Sequence, residues 1–320
     1  MVSVVLIGNG SQAVACLDVL LALSDVRVSL VLYDRADEGE HAWRMSLRKH
    51  AAENGFEEGT TLIRGNPNLA NQLALIREAA PDYILSVQCR YIIRSDVIAT
   101  AKVATLNLHN APLPLLRGCD PFSWCILDGL QRMGATLHQV PDEGIDSGPI
   151  LSQKFWQVDP DTTAWDLYQK SITTGAELIK ESFAQLSDLT PVPQDERYVT
   201  YHPMGQFDYK KGCAIDFSEV ACTLSANTRA RIFPPFQCPL LTVADRHYKV
   251  YRVVQGDRLA KDLPFGEVVS VDPLIVHAKY GTIIILEVEL EGKVVSGSAL
   301  AMQTALTVGT NLMANLEEKK

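Results

Sequence analysis

An amide, an imidazole and a carboxylate stand at the two most informative places in this chain. Asn107 and His109 lie in the run Leu106-Asn107-Leu108-His109-Asn110-Ala111-Pro112-Leu113-Pro114, and Asp146 lies in the loop Asp142-Glu143-Gly144-Ile145-Asp146-Ser147-Gly148-Pro149-Ile150. Together these groups supply what acyl transfer to an amine needs. One donates to an oxygen that gains charge, one exchanges protons, and an anion orients the imidazole. Alone, a histidine beside an apolar strand is ordinarily a core or rim residue, and an aspartate among glycines is ordinarily a turn-former. Asn107 and His109 are two residues apart in an apolar stretch, so in extended geometry they face the same side. The Gly-rich loop around Asp146 can hold a carboxylate near them.

The elements that position these groups follow from hydrophobic periodicity. Residues 2–7, 26–33, 61–63, 83–87 and 103–107 read as strands, the longer ones apolar enough to be buried on both faces. Residues 12–23, 41–54, 68–79, 96–101, 122–129 and 163–186 read as helices, and 135–140 and 148–155 as further strands. Such alternation predicts an α/β domain with a mostly parallel sheet. Ligands in these sheets bind beyond the carboxyl ends of strands, where Asn107 and His109 fall. The opening turn, Gly8-x-Gly10-x-x-Ala13 with Asp34 closing the second strand, has the form of a nicotinamide-dinucleotide site. A tight strand-to-helix turn needs the same glycines for positive φ and close packing, so a dehydrogenase and a structural turn both remain open.

The 320 residues suffice for two domains. A polar, Pro-bearing stretch at 191–206 reads as a linker between residues 1–190 and 207–320. The second part carries short apolar runs at 240–243, 248–254, 266–271, 274–278 and 282–288, with one helix over 218–231. That spacing predicts a small antiparallel barrel or sandwich. Hydrophobic residues make up 47% of the chain, but no apolar run reaches membrane-spanning length. The seven scattered cysteines form no CxxC pair, so they read as buried thiols in a reducing compartment and no metal is implied. The first residues lack a basic leader pattern, so a cytoplasmic protein is expected. The net charge is −9, and residues 201–320 hold 13 basic against 13 acidic side chains, which argues against a nucleic-acid surface.

From Asn107 to Gln153 the chain resembles the formyltransferases that use N10-formyltetrahydrofolate. The resemblance is carried by Asn107-Leu108-His109, Pro112-Leu113-Pro114, Arg117-Gly118, the helix from Pro121 to Gly129, Gly134-Ala135-Thr136-Leu137-His138 and Asp146-Ser147-Gly148-Pro149-Ile150. Ile215-Asp216-Phe217-Ser218, Arg229-Ala230-Arg231-Ile232-Phe233-Pro234 and Gly266-Glu267-Val268 extend it to the tail. It implies a Rossmann-like catalytic domain followed by a small C-terminal β-barrel (OB-like) domain, an enzyme, and N10-formyltetrahydrofolate as formyl donor. It also implies Asn107, His109 and Asp146 as catalytic residues. Asn107 and His109 would steady the formyl oxygen, and Asp146 would hold His109 and help move protons from the amine. The donor would lie along Ser86, Gln88, Arg90, Tyr91, Ile92 and Ile93 and along Val140, Gly144 and Ile145. His138 matches a position near the cluster, with a structural role equally open. The variant from His109 to Trp124 is most similar to the sugar-directed members, with Asn110, Pro112, Arg117 and Trp124 toward a nucleotide-linked amino sugar. Open alternatives are an amine in peptide natural-product assembly, methionyl-tRNA, and a non-catalytic binding module. A homodimer is compatible with all of these, and no membrane partner is expected.

Overall fold

The computed structural model describes residues 1–142, 144–210, 213–234, 236–258 and 263–313. The expected donor loop at 140–146 therefore includes Glu143, which lies outside the described residues, as does the end of the expected second domain at 314–320. The elements in chain order are β1 (Val2–Gly8), α1 (Gly10–Ala22), β2 (Val26–Tyr33), α2 (Leu47–Glu53), β3 (Leu62–Arg64), α3 (Ala70–Ala79), β4 (Tyr83–Val87), α4 (Ser95–Ile98), β5 (Ala104–His109), β6 (Arg117–Gly118), α5 (Pro121–Leu127), β7 (Arg132–Gln139), β8 (Ile150–Gln157), α6 (Ala164–Ala184) and β9 (Tyr201–His202). They are followed by α7 (Ala221–Arg231), β10 (Leu240–Val243), β11 (Arg246–Gly256), β12 (Val268–Val271), β13 (Leu274–Ala278), β14 (Gly281–Leu290), β15 (Lys293–Ser296) and α8 (Gly297–Gln303).

The chain divides into two compact units. The first comprises Met1–Pro121, Arg132–Trp156 and Gln169–Pro203, and the second Phe122–Gln131, Gln157–Tyr168 and Met204–Lys320. The stretch read from sequence as the start of a linker, 191–203, thus packs within the first unit.

The first unit is built on a seven-stranded sheet in the order β3-β2-β1-β4-β5-β7-β8. The strands from β3 to β5 run parallel, and β7 is antiparallel to β5. Strand order reverses between β1 and β4, the Rossmann-like crevice at which ligands bind. Val4, Leu6, Leu85, Leu106 and Leu137 are fully buried and pack with Ala13, Leu17 and Leu20 of α1 on one face of the sheet. Val5, Ile7, Ile84 and Ile76 form the core of the other face. This two-sided burial is why these strands read as apolar runs rather than as alternation. Register places Ile7, Ser86, Asn107 and His138 in one row across β1, β4, β5 and β7. The polar members of that row meet at the carboxyl end of β5.

Residues 41–46, read from sequence as helical, are irregular. The helix starts only after Ser46, whose Oγ accepts from Lys49 N at 3.0 Å and donates to Asp37 Oδ1 at 2.5 Å. A side-chain cap sets the boundary that periodicity could not. Asp34 turns its carboxylate onto Ala36 N at 2.8 Å, and a Cβ on Gly8 would lie 2.6 Å from Ala13 Cβ. Both observations give the opening turn a packing role.

The second unit carries a six-stranded antiparallel sheet, β10-β11-β14-β13-β12 with β15 also on β14. Register shifts flanking Arg252 curl β11, giving an OB-like half-barrel. Phe217, Val250, Val253, Leu274, Val276, Ile283 and Leu300 fill it. The hairpin at Glu291 and Gly292, with φ of 52° and 76°, leads into β15 and α8, which sequence reading left out. Both turn residues are left-handed, as in a type I′ hairpin, but Glu-Gly is a weaker signal than Asn-Gly. Among the described residues no helix is long and apolar enough to cross a membrane.

One buried amide pair braces the first unit. Gln12 is fully buried; its Nε2 donates to Asn110 Oδ1 at 2.6 Å and Ser171 O at 3.0 Å, and Asn110 Nδ2 donates back at 2.9 Å. Gln12→Ala should cost about 1–3 kcal/mol, the penalty of stranding the buried Asn110 amide. Urea denaturation checks this; an unchanged midpoint would show that the pair contributes nothing.

Candidate active site

Asp146 is the hub of the site. Its φ is 50°, a left-handed conformation that turns its side chain inward, where it is only 12% exposed. Oδ1 accepts from Asn107 Nδ2 at 3.3 Å and lies 3.5 Å from His138 Nε2. Oδ2 accepts from Gly118 N at 2.9 Å and lies 3.6 Å from His109 Nδ1. Burial alone would favour the neutral acid. The positive charges of His109 and His138 when those rings are protonated, the His138 Nε2–H bond available in that state, and the Gly118 amide outweigh it and hold the carboxyl well below the usual range. The lowering favours the ionised form of Asp146.

The tautomers follow from the carbonyl oxygens, which can only accept. His109 Nε2 lies 2.9 Å from Leu116 O, so Nε2 carries the hydrogen and Nδ1 is bare in the neutral ring. A proton arriving at Nδ1 would meet Asp146 Oδ2 and form a charge-assisted contact. His138 Nδ1 lies 2.8 Å from Gln139 O and donates to it, so Nε2 accepts from Asn107 Nδ2 at 3.1 Å. The two hydrogens of the Asn107 amide thus point at His138 and Asp146, and the longer bond, to Asp146, is the one more readily exchanged.

Two glycines let the backbone close around these groups. A Cβ on Gly118, at φ 95°, would strike the His202 carbonyl, and one on Gly148 would strike the Gln139 carbonyl. The strand β9 pairs with β6, and Thr200 Oγ1 accepts from Leu116 N at 2.7 Å. Residues 200–202 therefore fix the turn that carries both Leu116 O and Gly118 N.

The structure brings Asn107, His109 and Asp146 together as the sequence suggested, and adds His138. The remaining expected site residues have different settings. Ser86 is buried at the end of β4, and Gln88 follows in the left-handed region, φ 53°. Cys89 Sγ and Asn68 Nδ2 donate to Tyr91 O and Ile92 O, at 3.4 and 2.9 Å, and shape the loop. Arg90 is exposed and Tyr91 half-buried, while Ile92 and Ile145 stand 56% and 40% exposed and Ile93 is buried. Val140 N donates to Thr105 O at 2.8 Å and Gly144 N to Asp142 Oδ1 at 2.8 Å. Asn110 is buried with its amide committed to Gln12, and Pro112 is interior, beside Gly134. Arg117 is buried; its Nε and Nη2 donate to Gln194 Oε1 at 3.1 and 2.9 Å, and Nη2 and Nη1 to Glu196 at 2.7 and 3.3 Å. Trp124 belongs to the second unit, edge-on to Phe207 at 6.0 Å. Sequence reading missed Gln194 and Thr200. Their only signal was a polar residue after Pro191-Val192-Pro193 and a threonine before β9, neither of which marks a site. Among the described residues no group of three His, Cys, Asp or Glu side chains is placed to hold a metal ion.

Asp146 makes an acid-side prediction. Its folded-state pKa is lowered, so the unfolded chain binds more protons between the two values and stability rises with pH there. The contribution is complete above the unfolded value of about 3.9 and is lost on acidification below it. Asp146→Asn should flatten this dependence in urea titrations taken from about pH 6 down to about pH 3. Parallel curves for the two proteins would refute the electrostatic account. Asn107→Ala and His109→Ala should each lower turnover by at least ~10² while the fold, followed by circular dichroism, persists. A near-wild-type rate in either would remove that residue from the chemistry.

The family model described as "Formyl transferase" matches residues 2–182. A methionyl-tRNA formyltransferase of Myxococcus xanthus is 28% identical over 305 residues, covering 94% of each chain. Among solved structures, a sugar 3N-formyl transferase studied with dTDP and 5-N-formyl-THF superposes with a TM-score of 0.68 at 21% identity, covering 89% of this chain and 97% of that one. An N-formyltransferase from Helicobacter canadensis, in complex with folinic acid and dTDP-3-aminofucose, gives 0.67 at 20% identity, with 89% and 99% covered. At these identities the structural likeness is one of fold.

Proposed function

The chain belongs to the formyl transferase family, and from that premise we propose that it moves a formyl group from N10-formyltetrahydrofolate to the primary amine of a nucleotide-linked amino sugar. The observation that carries the reaction is the buried, anionic Asp146 between two imidazoles and the Asn107 amide. We take the first compact unit, which runs on to Pro203 rather than ending at 190, as the catalytic part and the second unit as the accessory one.

The loops after β4 and β7 suit the donor. They combine exposed aliphatic side chains, Ile92 and Ile145, with main-chain polar groups, a surface for a flat heterocycle with polar edges. When bound, the donor supplies a formyl carbon attached to a nitrogen that can leave. Asn107 gives up its longer bond to Asp146 and donates to the formyl oxygen as that oxygen gains charge. One such placed donor contributes ~10²–10³ in rate. His109 takes the amine proton at Nδ1, the bare nitrogen facing Asp146, while Leu116 O keeps the ring oriented. Asp146 holds the resulting cation, directly or through a water, and the proton leaves toward the departing nitrogen.

The sugar reading is supported by the even charge of residues 201–320 and the overall charge of −9, and by the dTDP-3-aminofucose in the Helicobacter canadensis complex. Methionyl-tRNA is the second reading, favoured by the Myxococcus xanthus relative that spans nearly the whole chain. An amine in peptide natural-product assembly is the third.

Release of tetrahydrofolate should be followed with dTDP-amino sugars, methionyl-tRNA and free amino acids as acceptors. We expect turnover with the amino sugars and little change with salt. Preference for methionyl-tRNA, with kcat/KM falling steeply as salt rises, would overturn the sugar assignment. No release with any amine, together with no thermal stabilisation by 5-formyltetrahydrofolate at about 100 times a micromolar Kd, would overturn the reaction itself. Binding there would add about 2.7 kcal/mol.

A further inference from the structure

Gln194 lies 48 residues from Asp146 in sequence, beyond the long helix α6, yet its amide reaches the back of the site. Its Nε2 donates to two main-chain carbonyls of the catalytic loop, Asp146 O at 2.7 Å and Gly148 O at 2.8 Å. Its Oε1 accepts from two nitrogens of the buried Arg117. The amide is thus saturated on both sides, and each side holds a different wall of the site. On one wall is the loop carrying the Asp146 carboxylate. On the other is the β6 turn, which carries Gly118 N, the donor to Asp146 Oδ2. Val192 pairs with Ile150 through bonds of 2.8 Å in both directions, so Gln194 hangs from backbone anchored to β8.

The physical need for such a clamp is specific. Asp146 sits at φ 50° without being glycine, a left-handed conformation that is strained for a residue with a Cβ, though less so for Asp than for most, and that its surroundings help to hold. A relaxed Asp146 would swing its side chain away from His109, His138 and Gly118. An amide nitrogen bridging the carbonyls of residues i and i+2 fixes that turn without touching the carboxylate.

We propose that Gln194 is a positioning residue for formyl transfer: its amide locks the Asp146–Gly148 turn and ties it to Arg117 and the β6 turn, so that the carboxylate is presented to His109 in one orientation. The inference rests on the reaction assigned above. Gln194 touches neither donor nor acceptor. It acts through Asp146, so its loss lowers kcat and leaves the Michaelis constants nearly unchanged.

Three full-length variants test it. Gln194→Ala removes both functions. Gln194→Glu keeps an oxygen for Arg117 but loses both donors at neutral pH. Glu196→Gln removes the exposed charge at the far side of Arg117 and leaves the clamp intact. We expect kcat to fall ~10–100-fold in Gln194→Ala and Gln194→Glu, the scale of about an ångström of misplacement. KM for either substrate should move less than about threefold, and Glu196→Gln should stay within about twofold of wild type. A wild-type rate in Gln194→Glu would mean that the residue only anchors Arg117. An equal loss in Glu196→Gln would mean that the ion pair matters and the clamp does not. A second readout needs no substrate: the carboxyl carbon of Asp146, followed by NMR, should titrate closer to an ordinary aspartate in Gln194→Ala and Gln194→Glu. An unmoved Asp146 titration would overturn the proposal, as would failure of both variants to fold, which makes the residue structural. Absence of turnover in the wild-type protein would instead count against the formyl-transfer assignment, and the Asp146 titration would still decide the clamp.

Discussion

A carboxylate can be taken out of water only if its surroundings replace what water supplied. For Asp146 the replacements are one backbone amide and one side-chain amide, joined by two imidazoles when those rings are protonated, drawn from β5, β6 and β7. Only β7 neighbours Asp146 in the chain; β5 and β6 are brought to it by the fold. The sheet order, the left-handed turn at Asp146 and the glycine at 118 can all be understood as conditions for bringing those groups to one anion. Bonds gathered on one buried anion polarise one another, so each partner's contribution depends on the others.

That cluster explains how two histidines divide their work. Carbonyl oxygens fix one nitrogen of each ring as a donor, His109 through Leu116 and His138 through Gln139. The remaining nitrogens face the same carboxylate, but only the His138 nitrogen is already occupied, by Asn107. His138 Nε2 therefore accepts from and orients the amide, whereas His109 Nδ1 is left open toward Asp146. The chemical difference between the rings comes from main-chain geometry, not from the rings themselves.

Much of this was legible in the sequence for simple reasons. Asn107 and His109 share a side because strands repeat every two residues, and the strand end follows from Pro112 and Pro114. The parallel sheet was legible because its strands are apolar on both faces. What could not be read was every feature that depends on distant partners. The start of α2 is set by Ser46 and Asp37. Arg117 resembled an acceptor-binding side chain but is turned inward by Gln194 and Glu196. Asn110 stands beside His109 in sequence, yet its amide closes on Gln12, 98 residues away. Polar residues in Pro-rich connections carry no periodicity, so Gln194 and Thr200 became visible only once hydrogen-bond partners were known.

The contact of Gly118 with the carbonyl of His202 also bears on where the chain can be cut. The segment recognisable by family ends at 182, and α6 ends at Ala184, which makes that point an inviting boundary. Yet Gln194, Thr200 and His202 lie beyond it and close the back of the site. The compact unit that holds this cluster is therefore longer than the segment recognisable by family, reaching Pro203. Recombining such catalytic units with new accessory domains would have to place the junction after this strap, not at the end of the helix that precedes it.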